Sequence, residues 1–178
     1  MDLINNKIEE LEAQRTSWNV EKESIEFIVN SVDFLDNIRV LEIGCFNGYS
    51  ALWFSRIADR VVTIEIERDR YEESKKNLEG ADNVEVILGD ACDIISTLDE
   101  KFNVVFIDGK KFEYKKYLER VLGVLEDDFM IFVDNTISHK DNMCDFFDYL
   151  KSSEDLEWKE TGIGDGLVVV KRKTWGLG

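Results

Sequence analysis

Apolar positions along this chain switch period repeatedly between about 3.6 and 2, which predicts helices alternating with buried strands. Ile4, Ile8 and Leu11 recur at helical spacing, as do Ile25, Ile28 and Val32, so residues 1–35 are expected to form two amphipathic helices. Five short runs rich in branched residues follow: Arg39–Ile43, Val61–Ile66, Val84–Leu88, Asn103–Ile107 and Phe129–Val133. They read as buried strands of an α/β sheet. Between the last two, Tyr117, Leu118, Val121, Leu122 and Leu125 outline a further amphipathic helix. Near the end, Leu156–Trp158 and Leu167–Val170 flank the glycine-containing segment 162–166. That arrangement reads as a hairpin placing an antiparallel strand in an otherwise parallel sheet.

The first strand breaks into a turn with two glycines, Val40-Leu-Glu-Ile-Gly-Cys-Phe-Asn-Gly-Tyr-Ser50, and a helix opens at Tyr49-Ser50 with Ser50 as a candidate cap. Gly44 and Gly48 let a ligand approach the backbone, and open α/β sheets bind ligands at such strand ends. The spacing is not the Gly-x-Gly-x-x-Gly of a dinucleotide site. No Lys-Ser/Thr follows Gly48 to make a phosphate loop, so a cofactor without phosphates fits better. Glu42, at the strand end, can accept a hydrogen bond or balance a positive charge. The second strand carries Glu65, a little under 20 residues after the turn, about where such folds place an acid on ribose hydroxyls. Glu67 competes for that role. The third strand ends in Gly89-Asp90-Ala91, a small polar terminus suited to an adenine edge.

A second constellation lies further along. Asp108 ends the fourth strand and Asp134-Asn135 end the fifth, so in a parallel sheet they project from one edge. Each acid alone reads as a turn or cap. Together they offer two carboxylates and an amide oxygen, all hard donors, with no Cys or His among them. Such a set suits Mg²⁺, or Mn²⁺ or Ca²⁺ in its place, rather than zinc.

The ordered segments Glu42–Ser50, Thr63-Ile-Glu65, Gly89-Asp-Ala91, Ile107-Asp-Gly-Lys-Lys111, Val133-Asp-Asn135 and Gly164-Asp-Gly-Leu167 resemble the motifs of class I S-adenosylmethionine-dependent O-methyltransferases of the catechol and caffeoyl-CoA type. The resemblance runs from about Trp18 to Lys171. It implies a Rossmann-like seven-stranded, mostly parallel sheet with helices on both faces. It also implies S-adenosylmethionine as cofactor. Glu42, Gly44, Tyr49 and Ser50 would hold its methionine end, Glu65 its ribose and Asp90-Ala91 its adenine. Phe46, Asp108 and the Asn19-Val20 segment would also lie against it. Asp108, Asp134 and Asn135 would bind the divalent cation. Lys111 matches the family's proposed general base, for which a nearby cation and partial burial must lower its pKa.

The implied reaction is in-line methyl transfer to a hydroxyl of a small, aromatic, vicinal-diol-like acceptor. Departures from the catechol pattern are Gly109 and Lys110 in place of a histidine and an aromatic residue, and Val168 in place of a substrate-orienting acid. Two alternatives stand beside this reading: methylation of a hydroxylated tRNA uridine, and a cofactor-binding protein without turnover. The family suggests homodimers.

With 178 residues and 44% hydrophobic composition, the chain is expected to form one domain over residues 1–178. Neither a membrane-length apolar stretch nor a secretory signal is seen, so a cytoplasmic protein is expected. The formal charge of −16 opposes nucleic acid and anionic membranes. A local basic cluster of Lys110, Lys111, Lys115, Lys116 and Arg120 keeps tRNA open, although the usual reading is a solvated helix face with pairs such as Lys116 and Glu119. Cys45, Cys92 and Cys144 have no metal-like spacing. Cys45 is expected to serve as a small side chain, and His139, the only histidine, to be solvated.

Overall fold

The computed structural model describes residues 2–173. Two helices, α1 (Asp2–Ala13) and α2 (Lys22–Ser31), precede an alternation of β1 (Arg39–Ile43), α3 (Tyr49–Ser55), β2 (Arg60–Glu65), α4 (Arg68–Asn77), β3 (Val84–Leu88), α5 (Ala91–Ile95) and β4 (Phe102–Ile107). Then come α6 (Tyr114–Val121), β5 (Leu125–Asp134), α7 (Cys144–Ser152), β6 (Leu156–Thr161) and β7 (Leu167–Arg172). The seven strands form one sheet in the order β3-β2-β1-β4-β5-β7-β6. β1 to β5 run parallel, while β7 is antiparallel to both β5 and β6.

Period-2 alternation sends successive strand residues to opposite faces, and both faces are covered. Leu41, Ile43, Val62, Ile64, Val105 and Ile107 pack with the apolar sides of α5, α6 and α7. Val40, Val61, Val104 and Phe106 pack with α1, α2 and α3. Since both faces lie inside, the central strands have no polar side, and this is why they read as continuous apolar runs. β1 has β2 on one side and β4 on the other, so the winding reverses there. The crevice for a ligand therefore opens at the C-terminal ends of β1 and β4.

Three local expectations are corrected. The helix expected to reach Leu125 stops at Val121; Leu122–Val124 form a 3-10 turn, and Leu125 already pairs with Phe102 as the first residue of β5. Ser50 does not cap α3, because Gly48, at φ 87°, takes the N-cap position and Ser50 lies inside the first turn. Lys116 pairs with Glu113 rather than Glu119, which lies 4.0 Å from Lys115 instead. No helix among the described residues is long and apolar enough to cross a membrane.

Candidate active site

The β1 turn depends on a close approach that only glycine permits. Gly44 has φ 96°, and a Cβ there would sit 2.3 Å from the Asp108 carbonyl oxygen. The same packing draws the ends of neighbouring strands together: Gly44 N–H donates to the Ile64 carbonyl, and Asp108 N–H to the Ile43 carbonyl. Glu42 is fully buried and in register with Thr63, whose hydroxyl donates to it at 2.5 Å. Its other oxygen, Oε1, has no partner. Burial, reinforced by the charges of Asp108 and Glu65, pushes the Glu42 carboxyl up to about 8.

Of the two ribose candidates, Glu65 faces this turn. It is 3% exposed, and its two oxygens accept the Phe46 and Glu67 N–H groups at 2.8 Å each. Glu67 is exposed at the start of α4. Asp90 caps α5 by accepting the Cys92 N–H at 2.9 Å, and Ala91 is buried beside it. A polar groove of roughly 590 Å³ opens next to Asp90, between α5 and α6.

The segment between α1 and α2 lies over the turn. Asn19 donates its amide to Asn47 Oδ1 at 2.9 Å in a buried contact, and Val20 is 4% exposed. Tyr49 directs its hydroxyl to Glu12 on α1. Arg70 lies over the rings of both Trp18, at 5.0 Å, and Phe46, at 5.1 Å. α1 and the linker to α2 are thus fastened to this side of the crevice by side chains of the turn and of α4. Cys45 is 1% exposed and burial raises its thiol, an environment that suits a packing side chain better than a thiolate.

Across the crevice, the ends of β4 and β5 converge as the chain pattern predicts. Asn135, in the left-handed region at φ 63°, donates its amide to Asp108 Oδ1 at 2.9 Å and to Asp134 Oδ2 at 3.1 Å. Lys111 Nζ lies 2.6 Å from Asp108 Oδ1. Asp134 is 3% exposed, and its Oδ1 is buried with no partner. Burial, then the charge of Asp108, pushes the Asp134 carboxyl up to about 7; burial raises Asp108 as well, with Lys111 opposing. A buried acid, Asp134, and a partly buried one, Asp108, share one amide and one lysine and are short of positive charge.

That deficit is the test of fit for a divalent cation. Among the described residues no three His, Cys, Asp or Glu side chains gather into a metal cluster, so the candidate centre consists of two carboxylates and an amide. The donor types fit a hard cation, the free Asp134 Oδ1 is an unused donor, and a half-turn of the Asn135 amide would present its oxygen in place of its nitrogen.

Residues outside the sequence-derived set complete the site. Thr63 donates to one oxygen of Glu42, Asn47 ties down the N-terminal segment, and Tyr114 is a fully buried phenol next to Lys111. Thr63 carries a signal in sequence, a lone hydroxyl inside an apolar strand. Asn47 and Tyr114 carry none without the fold. His139 is exposed on the loop after β5, with Nδ1 2.9 Å from the Ser138 hydroxyl. Within the basic cluster Lys111, Lys115 and Lys116 all have acidic partners.

Comparison with known proteins agrees with this architecture. The family model described as O-methyltransferase matches residues 4–173. A catechol O-methyltransferase of Mycobacterium tuberculosis is 39% identical over 106 residues, covering 56% of this chain and 48% of the relative. One from Niastella koreensis is 31% identical over 108 residues, covering 55% and 49%. The chain thus spans about half the length of these relatives. Among solved structures, a Podospora anserina methyltransferase bound to S-adenosylhomocysteine superposes with a TM-score of 0.85 at 20% identity, covering 98% of this chain and 89% of that one. An O-methyltransferase from Bacillus cereus, also in complex with S-adenosylhomocysteine, gives 0.81 at 21% identity, covering 97% and 91%. Matched across nearly its whole length, the chain belongs to the O-methyltransferase family.

Proposed function

We propose that this protein transfers a methyl group from S-adenosylmethionine to a hydroxyl oxygen of a small acceptor bearing neighbouring oxygens, with a divalent cation at Asp108, Asp134 and Asn135. The observation that carries the reading is the Asp108–Asn135–Asp134 arrangement, with its unpartnered Asp134 Oδ1, across one crevice from Glu42 and Glu65. Solved structures of the same fold contain S-adenosylhomocysteine, and the catechol O-methyltransferases among the relatives support an aromatic diol as acceptor.

When bound, S-adenosylmethionine supplies the sulfonium methyl, and the cation supplies Lewis acidity toward the acceptor oxygens. The chain's own residues do the rest. Glu65 offers its remaining lone pairs to ribose hydroxyls, and Asp90 and Ala91 border the adenine. Glu42 and the Gly44 turn take the methionine end. The segment from Trp18 to Val20 covers the donor and limits water. Lys111, held 2.6 Å from Asp108 Oδ1, would take the proton of the attacking hydroxyl. Val168 is fully buried in β7 and cannot orient an acceptor, so acceptor specificity differs from that of catechol enzymes with an acid there.

Two members of the basic cluster, Lys115 and Lys116, lie beside Glu119 and Glu113, which weakens the tRNA alternative. The direct test is transfer of labelled methyl to a panel of vicinal diols, with and without EDTA. Transfer abolished by EDTA and restored by Mg²⁺ is expected. Label entering tRNA but no diol contradicts the reading.

A further inference from the structure

Lysine is a floppy tether for a group that must hold one position, because its stem has four rotatable bonds. Lys111 Nζ is nevertheless held from two directions, by Asp108 Oδ1 at 2.6 Å and by the face of the Tyr114 ring, whose centroid is 5.4 Å away. Lys111 and Tyr114 are three residues apart where a 3-10 turn runs into α6, so the local backbone puts both on the same side.

Tyr114 itself is wedged. It is 0% exposed, stands edge-on to Phe146 at 6.1 Å, and tilts against Tyr117 at 6.3 Å. Its hydroxyl is buried without a hydrogen-bond partner. A tyrosine kept for an internal hydrogen bond would have one. What the side chain does offer toward the site is its ring face, turned to a cation in a largely desolvated place, where such a contact is strongest. Burial and the charges of Asp108 and Asp134 keep the phenol protonated, so it adds no third negative charge beneath the lysine.

We infer that Tyr114 is a positioning residue: its immobile ring holds the Lys111 ammonium against Asp108, fixing the group that faces the acceptor hydroxyl. This rests on the role proposed above for Lys111, but the contact can be read without turnover. Lysine labelled with ¹³C at Cε gives one resonance per lysine, and Lys111→Arg assigns the one from Lys111. A proton over an aromatic face is shifted upfield by the ring current, so the Lys111 Hε signal is expected upfield of the other lysines in the wild type. It should keep that shift in Tyr114→Phe and lose it in Tyr114→Leu.

Kinetics should follow the ring. Tyr114→Leu lowers kcat about tenfold, with the Mn²⁺ Kd and the KM for S-adenosylmethionine retained, and Tyr114→Phe rescues the loss. An unshifted Lys111 resonance in wild-type protein overturns the inference, even where Tyr114→Leu fails to fold. A Tyr114→Phe enzyme as impaired as Tyr114→Leu also overturns it, by assigning the effect to the hydroxyl. Should the wild type methylate no diol, the proposed function fails while the resonance test still decides this contact.

Discussion

Asn135 reaches back from the end of β5 to donate its amide to Asp108 Oδ1, 2.9 Å away at the end of β4. This one contact joins the two strand ends that carry the candidate chemistry. It needs a residue that tolerates φ 63° and has a short amide, and asparagine is the residue type that does both readily. Glu42 and Glu65 reach the opposite wall of the crevice from β1 and β2, so four adjacent parallel strands place their acids at one sheet edge.

Glu65 anchors the turn and faces the crevice, so its charge should matter for the donor. Glu65→Gln is expected to weaken S-adenosylhomocysteine binding by about 1–3 kcal/mol, through a lost charged hydrogen bond and a disturbed Phe46 N–H contact. Exposed Glu67 should be dispensable, and Glu67→Gln should bind as the wild type does. Calorimetric titration of both variants checks this; the reverse pattern would move the ribose site to Glu67.

Glu42 makes the stability of the ligand-free protein depend on pH. Its folded pKa, about 8, lies above the unfolded value near 4.5. The protonated form is therefore favoured in the fold, and stability is lost as pH rises from the unfolded value through the folded one. Glu42→Gln cannot ionise. Relative to the wild type, it should gain on the order of 2 kcal/mol more at pH 9 than at pH 6, read from denaturant midpoints at each pH. An equal effect at both pH values would mean that Glu42 ionises freely in the fold.

Gly44 tests the strand-end packing. Adding a methyl group at φ 96°, against the Asp108 carbonyl oxygen, combines backbone strain with a steric clash. Gly44→Ala should destabilise the protein by about 2–4 kcal/mol and weaken cofactor and metal binding together, because the clash displaces the end of β4. A variant with wild-type stability would show that the β1 and β4 ends are more loosely packed than described.

Much of this was legible in the chain. β1 and β3 lie where the branched runs predict: β1 is buried from Val40 to Ile43, and β3, at the sheet edge with Glu85 exposed, still carries four branched or apolar residues in five. The acids at 42, 65, 108 and 134 were legible because each interrupts or ends such a run. Helices were harder. α4 is almost wholly polar, with Ser74 its one buried residue, so its surface position leaves no stripe to read. α5 has five residues, too few for a period. α7 buries Phe146, Phe147 and Leu150, but it follows a polar loop that masks its start. Leu125 misled because its apolar side chain continues the α6 stripe while its backbone already belongs to β5. Within the site, the roles of Asn47 and Tyr114 depend on contacts between distant elements or on packing depth, and local patterns encode neither.

The proposed chemistry depends above all on a divalent cation held by the two carboxylates and the Asn135 amide. Titration of Mn²⁺ followed by electron paramagnetic resonance, on protein saturated with S-adenosylhomocysteine, tests it most directly when wild type is compared with Asp134→Ala. One ion bound per chain is expected in the wild type, with binding lost in Asp134→Ala while S-adenosylhomocysteine affinity is retained. Absence of specific Mn²⁺ binding in the wild type, or binding undiminished in the variant, would contradict it.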